Sequence, residues 1–173
     1  MRKVKRFAAI VLTVALLSPT TAYAGNVEDE RVEVVNKSLF DVTKEDIADC
    51  DVMISAYGSG FDADPTLNHK AFLKYIELNE GTKRHLIAIG GAGSLFTDST
   101  HTTYCYETPE HPDFLREISK NIKLGIDELK KTSDVNWTVV CPSSFFDSEG
   151  ALTGNYEIGT EEQVIFNEEQ SDL

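Results

Sequence analysis

Residues 87–96 read IAIGGAGSLF, a short apolar run that enters a glycine turn and ends on a serine, Ser94. A run of this length, bounded by glycines, reads as a buried strand that stops where the backbone must turn tightly or let something approach closely. Two more stretches have the same shape. DVMISAYG (51–58) precedes it and NWTVVCP (136–142) comes after it. Between the first two lies PTLNHKAFLKYIELN (65–79), with Leu67, Ala71, Tyr75 and Leu78 at helical spacing, Pro65 at its start and Gly81 just past its end. Between the second and third lies the longest helical pattern, PDFLREISKNIKLGIDELKK (112–131). In it Phe114, Ile118, Ile122, Ile126 and Leu129 form an apolar stripe, and Lys130 and Lys131 sit at the negative end of the helix dipole.

Strands alternating with helices predict an α/β fold with a mainly parallel sheet and flanking helices. In such a sheet the strands' carboxyl ends share one edge, and ligands bind beyond it. The sequence places small residues there three times: Ser55, Ala56 and Gly58; Gly90, Gly91 and Gly93; Cys141, Pro142 and Ser143. One glycine merely turns a chain. Their recurrence at one edge predicts a cleft.

Further from the centre, RVEVVNKSLFDV (31–42) reads as another strand, and TKEDIADC (43–50) as a short helix whose Thr43 and Asp46 have the spacing of a capping box. YEIGTEEQVIF (156–166) has the pattern of a hairpin. The first 24 residues differ in composition from the rest: basic MRKVKR, apolar FAAIVLTVALL, then SPTTAYA with its A-x-A end. They are read as a signal peptide over 1–24, followed by one domain over 25–173 and export to the envelope or medium.

The 173 residues carry a net charge of −13, and loss of the leader would remove four basic and no acidic residues. Such an acidic surface repels nucleic acid and anionic membranes, so neither is expected as a partner. The three cysteines, Cys50, Cys105 and Cys141, are too few for a disulfide framework. The topology puts Cys105 and Cys141 at the carboxyl edge and Cys50 at the other, which predicts a Cys105–Cys141 disulfide or none. His101, Cys105, Glu107 and His111, in HTTYCYETPEH (101–111), are metal-ligand types. With no companion pair and no H-E-x-x-H or C-x-x-C, they read as a polar loop over the cleft, and no metal is expected.

The segments DVTKEDIADCDVMISAYG, IAIGGAGSL and DVNWTVVCPSSFF, with TGNYEIG after them, resemble the atypical short-chain dehydrogenase/reductases, the NAD(P)H-binding, NmrA-like group that includes NADH-flavin reductases. The likeness runs from about Arg31 to Asn167. It implies a Rossmann-like fold, NADP or NAD as cofactor, a flavin or other small molecule as substrate, and hydride transfer as the chemistry. By the same resemblance Asp41 would lie beside the adenine, and Ala56, Tyr57 and Gly58 would line the adenosine and ribose. Gly90 and Gly91, in the turn that ends at Ser94, would border the nicotinamide, and Pro142 and Ser143 would close its pocket. Ser94 would either donate a hydrogen bond to a substrate carbonyl or cap its own loop.

Members of this group begin with a strand and a G-x-x-G-x-x-G turn whose amides hold the pyrophosphate. In MRKVKRFAAIVLTVALLSPTTAYAGN the only glycine is Gly25, so the resemblance implies a domain truncated at both ends, with cofactor binding weak or lost. The Tyr-x-x-x-Lys pair that assists proton transfer is also missing. A non-catalytic exported remnant or binding module is the alternative to a reductase.

Overall fold

The computed structural model describes residues 37–144, 154 and 156–162, so the leader expected at 1–24 lies outside the described residues, as does Val32–Val35 of the first expected strand. Three strands and two helices alternate along the chain: β1 (Val52–Ser55), α1 (Thr66–Asn79), β2 (His85–Ile89), α2 (Asp113–Lys130) and β3 (Asn136–Val140). The strands form one parallel sheet in the order β1-β2-β3. The register aligns Met53 with Leu86 and Trp137, and Ser55 with Ala88 and Val139. The parallel α/β architecture is therefore as the alternating pattern predicts.

Side chains alternate across a strand, so that register sorts the sheet into two faces. Met53, Leu86 and Ala88 are buried in one core with Ala71, Phe72, Tyr75 and Leu78 of α1 and Leu129 of α2, and Trp137 and Val139 pack against it. Both helices thus cover the same face, as consecutive right-handed crossovers in one direction require. The other face carries Ile54, Ile87 and Val140, of which Ile54 is 55% and Val140 45% exposed. Among the described residues the flanking helices expected on the sheet lie on one side alone, and none is long and apolar enough to cross a membrane.

One local expectation, the helix over 43–50, is corrected, and two others fall in part outside the described residues. Residues 37–42 form no strand: Leu39–Asp41 is a 3₁₀ turn, capped by the Ser38 hydroxyl, which accepts from the Phe40 amide at 3.3 Å. Residues 44–49 are turns rather than a helix. The capping box does form, with the Thr43 amide donating to Asp46 Oδ2 at 2.8 Å and the Asp46 amide to Thr43 Oγ1 at 3.4 Å. The segment from Asp46 to Cys50 is too short to offset the cost of helix nucleation, and the chain closes instead through i→i+3 bonds such as Cys50 N–H to the Ile47 carbonyl at 3.1 Å. The hairpin expected over 156–166 lies in part outside the described residues, since 163–166 are among those not described; within 156–162, Glu162 bridges to Phe96. The stripe of α2 is also shorter than its pattern, because Phe114 is 64% exposed while Leu129 is fully buried.

The end of α1 matches its signal. Gly81 adopts φ +72°, and a Cβ there would meet no atom within 4 Å. Crowding is therefore no part of its role, and backbone strain is all of it. Gly81→Ala is expected to lower stability by about 1–2 kcal/mol and Gly81→Asn by less, read from urea unfolding, because Asn tolerates the left-handed region better.

Candidate functional site

The loop after β1 is shaped by its own polar groups. Ser59 is buried, and its amide donates to Asn68 Oδ1 at 3.3 Å while Asn68 Nδ2 donates to Ser59 Oγ at 2.8 Å and to the Pro65 carbonyl at 3.1 Å. Asp64 accepts from the Thr66 amide at 2.9 Å and from its hydroxyl at 2.7 Å, which anchors the start of α1. Beneath the loop, the Ser55 hydroxyl donates to the Tyr75 hydroxyl at 2.8 Å, and burial holds the Tyr75 phenol well above its ordinary pKa. The loop is a fixed wall.

That wall encloses a cavity of about 350 Å³ lined by Ala56, Tyr57, Gly58, Gly60 and Phe61 on one side and Gly90, Ile118 and Ile122 on the other. Four residues expected at a cofactor site, Ala56, Tyr57, Gly58 and Gly90, are brought together here. Tyr57 is half-buried and its ring meets Phe40 edge-on at 5.9 Å. Burial, and then the negative charge of Asp64, raise its pKa, so its hydroxyl keeps its proton at neutral pH and can donate. Asp41 sits next to Phe40 in the exposed turn and does not line the cavity.

The glycines separate into two kinds. A Cβ on Gly90 would lie 2.7 Å from Cys141 Sγ, and one on Gly93 would lie 2.3 Å from Ser119 Oγ, so packing alone accounts for both. A Cβ on Gly58 would meet no protein atom within 4 Å. Gly58 is exposed and belongs to the cavity lining, so a ligand in the cavity can approach its backbone closely. The fold supplies no other reason for glycine at that position.

A second cavity, about 630 Å³, lies on the far side of β3, between its outer edge, α2 and residues 157–162, and holds Ser94, Cys141 and Ser143 in its lining. The expected site residues are thus divided between two cavities. Gly91 and Pro142 line neither. Of the two readings of Ser94, the geometry supplies the cap: its hydroxyl donates to the Gly91 carbonyl at 2.7 Å inside the 3₁₀ turn Ala92–Ser94. Cys141 Sγ lies 3.6 Å from the same hydroxyl, and burial raises the thiol's pKa, so it is no ready thiolate. Cys50, Cys105 and Cys141 are in no disulfide among the described residues.

The polar loop is tied down group by group. His101 Nε2 is 2.6 Å from Glu162 Oε1, Glu107 accepts from the Tyr104 amide at 2.9 Å, and His111 Nε2 is 3.1 Å from Ser119 Oγ. Hydrogen bonds from Thr160 and His101 hold the Glu162 carboxyl down at about 2. Burial, and then the neighbouring Arg116 charge, lower the pKa of His111. Arg116 reaches the Tyr106, Thr108 and His111 carbonyls, which stitches residues 106–111 onto α2. Among the described residues no three His, Cys, Asp or Glu side chains converge on a metal position.

Sequence reasoning misses Asn68, Phe61, Ile118 and Ile122. The first sits on the buried face of α1, where its only cue is a polar residue in an apolar stripe. The two isoleucines read as core, and they serve as cavity wall as well.

A family model described as NAD(P)H-binding matches residues 4–171. The uncharacterised protein YwnB of Bacillus subtilis is 32% identical over 143 residues, which is 82% of this chain and 67% of its own. The crystal structure of a proposed NADH-flavin reductase from Streptococcus pneumoniae superposes with a TM-score of 0.73 at 33% identity, over 82% of this chain and 67% of that one. A protein proposed to be exported, from Burkholderia pseudomallei, has a TM-score of 0.63 at 23% identity over 81% of this chain and 66% of its own, a likeness of fold. The chain spans about two thirds of the length of these relatives.

Proposed function

The chain belongs to the NAD(P)H-binding family, and on that premise we propose that the cavity between the carboxyl ends of β1 and β2 takes a reduced nicotinamide dinucleotide, held weakly, for hydride transfer to a flavin or similar acceptor. The observation that carries this reading is the unfilled space over Gly58, in the lining of a cavity that also includes Ala56, Tyr57 and Gly90. Ala56, Tyr57 and Gly58 would contact the adenosine side and Gly90 would border the nicotinamide side. When bound, the cofactor supplies a hydride. The chain's own residues position it: glycine lets the backbone approach, Tyr57 offers a protonated hydroxyl, and Ile118 and Ile122 keep water from that wall.

Weak holding is part of this proposal: by the family resemblance the phosphates would meet a G-x-x-G-x-x-G turn, and residues 1–36 of the sequence hold one glycine, Gly25. Two or three missing charge-assisted hydrogen bonds, each worth about 1.5–3 kcal/mol, carry a micromolar affinity into the millimolar range. The other assigned positions, Asp41, Gly91, Pro142 and Ser143, belong to this proposal on family resemblance alone.

A second reading, a binding module without turnover, is favoured by one observation: the Ser94 hydroxyl is committed to the Gly91 carbonyl. The test is thermal melting of the full chain with NADPH or NADH, because a ligand of the folded form alone raises the midpoint. At about tenfold excess over Kd the rise should be roughly 3–5 °C. Gly58→Val should leave the ligand-free midpoint in place and abolish the rise. No rise at cofactor about tenfold above a millimolar Kd would remove both readings; a rise without NADPH oxidation in the presence of flavin would select the module. Export is part of the proposal too, with cleavage after Ala24, and the N-terminal mass of chain recovered from the expressing cells decides it.

A further inference from the structure

Parallel sheets are covered on both faces almost without exception. Here the face turned away from α1 and α2 is bare among the described residues: Ile54 and Val140 are exposed, and Ile87, on the strand between them, is half-buried. The register sets Ile54 beside Ile87 and Thr138 in one row, and Ile89 beside Val140 in the next. Ile54, Ile87, Ile89 and Val140 are therefore neighbours on one pleated surface. Thr138 and Val140, which also border the second cavity, form its rim.

Two further properties fit this face for burial. Its polar groups answer one another, because His85 Nε2 lies 2.9 Å from Thr138 Oγ1, and that pairing survives when water is excluded. The face also carries no formal charge. None of the residues that point out from it on β1, β2 or β3 is Asp, Glu, Lys or Arg, in a chain whose net charge is −13.

The absence of charge chooses the occupant. A foreign partner drawn to an acidic chain is drawn by basic groups, and these find no counter-charge here. A two-fold contact lays one patch on its own copy, so that a charge near the axis meets its like. A patch without charge escapes that repulsion. Three strands about 4.8 Å apart, with five residues of about 3.3 Å each, make a face of roughly 14 by 16 Å. That is small beside the about 800 Å² per partner of a standard stable interface, so the contact is weak.

We propose that a second copy of this chain covers the open face of the sheet, in a reversible two-fold dimer centred on Ile54 and Ile87. Sheet packs on sheet, with the helices outermost on both sides.

Sedimentation equilibrium of the full chain, from about 10 μM to about 1 mM, tests this. The mass should rise from one chain towards two over that range and stop at two. Raising salt from about 50 to about 500 mM should lower the concentration of half-association by about tenfold, because it screens the repulsion between two acidic chains. Ile54→Lys should keep the chain monomeric throughout, although it reduces the net negative charge and so relieves that repulsion. Val140→Lys should weaken association by about tenfold. Leu73→Lys, at an exposed apolar position on α1, should associate as the parent does. All three positions are exposed, so unchanged melting midpoints of the monomers separate a lost contact from a lost fold. A single-chain mass at every concentration and salt would overturn the proposal. So would parental association of Ile54→Lys or Val140→Lys, loss of association in Leu73→Lys, growth past two chains, or association that salt weakens.

Discussion

Arg84→Met is expected to lower stability by about 3–5 kcal/mol, a large share of the roughly 5–15 kcal/mol a domain of this kind possesses. Arg84 is 6% exposed, and no carboxylate among the described residues lies within ion-pair distance. Its charge is held by backbone instead. Nη1 donates to the Leu78 carbonyl at 2.9 Å, Nη2 to the Ile47 carbonyl at 2.6 Å and Nε to the Cys50 carbonyl at 3.1 Å. Leu78 lies in the last turn of α1, so the guanidinium also meets the negative end of that helix dipole. The other two acceptors belong to the turns that lead into β1, which have no helix of their own to secure them. Met fills much of the volume and leaves three acceptors without their donor. Arg84→Lys, one point charge in place of a planar fork, should recover less than half of the loss. Urea unfolding at constant m-value measures both; a Met variant within about 1 kcal/mol of the parent would show that the turns are held by apolar contacts. The loss should not vary between about pH 5 and 9, because arginine does not titrate there.

The sequence signals that persist in the fold are those in which local and tertiary demands agree. Thr66–Asn79 has helical periodicity, a proline entry and a glycine exit, and its apolar stripe meets a sheet, so its limits are legible. The strands ending at Ser55, Ile89 and Val140 are legible because they read as short apolar runs bounded by small residues, even though one face of the described sheet is left open. Residues 43–50 show the opposite case: the capping box is plain in the sequence and forms in the structure, yet the shape of the chain it opens is set by Arg84, 34 residues beyond Cys50. No local pattern reveals that an arginine next to a strand will turn inward. The site is legible in part for a similar reason. That small residues gather at one edge is a consequence of parallel topology, but whether a given glycine serves packing or a ligand depends on which atoms face it. Gly90 faces Cys141 and Gly58 faces open space, and nothing in AYG or IGG distinguishes them. Ser94 and Ser143, placed with Gly90 in a single pocket by resemblance, fall on the other side of β3 because its edge separates two cavities.

Gly125→Ala is expected to cost about 3 kcal/mol, although the same change in an exposed helix would gain about 1 kcal/mol from propensity alone. A Cβ built at position 125 would lie 2.4 Å from Cγ, 2.5 Å from Cδ2 and 2.6 Å from Cβ of Phe72, against the roughly 3.5–4 Å at which carbon atoms rest. This is where α2 crosses α1. A ring alone would rotate away, but Phe72 Cβ is fixed to the α1 backbone, so the helices themselves must part. Phe72→Ala removes two of the three close atoms and keeps the third. It should by itself cost about 3–5 kcal/mol for the lost ring, and in combination with Gly125→Ala the two should fall short of additivity by about 1–2 kcal/mol. Full additivity would mean that α2 slides without meeting Phe72. The displacement would also reach the cavity, since Asn68 lies one turn before Phe72 on α1, and Ile122 lies three residues before Gly125 on α2. Any rise in melting midpoint that NADPH gives the parent chain should therefore be lost in Gly125→Ala, whereas Gly81→Ala, strained at a turn beyond the far end of α1 from the cavity, should keep it.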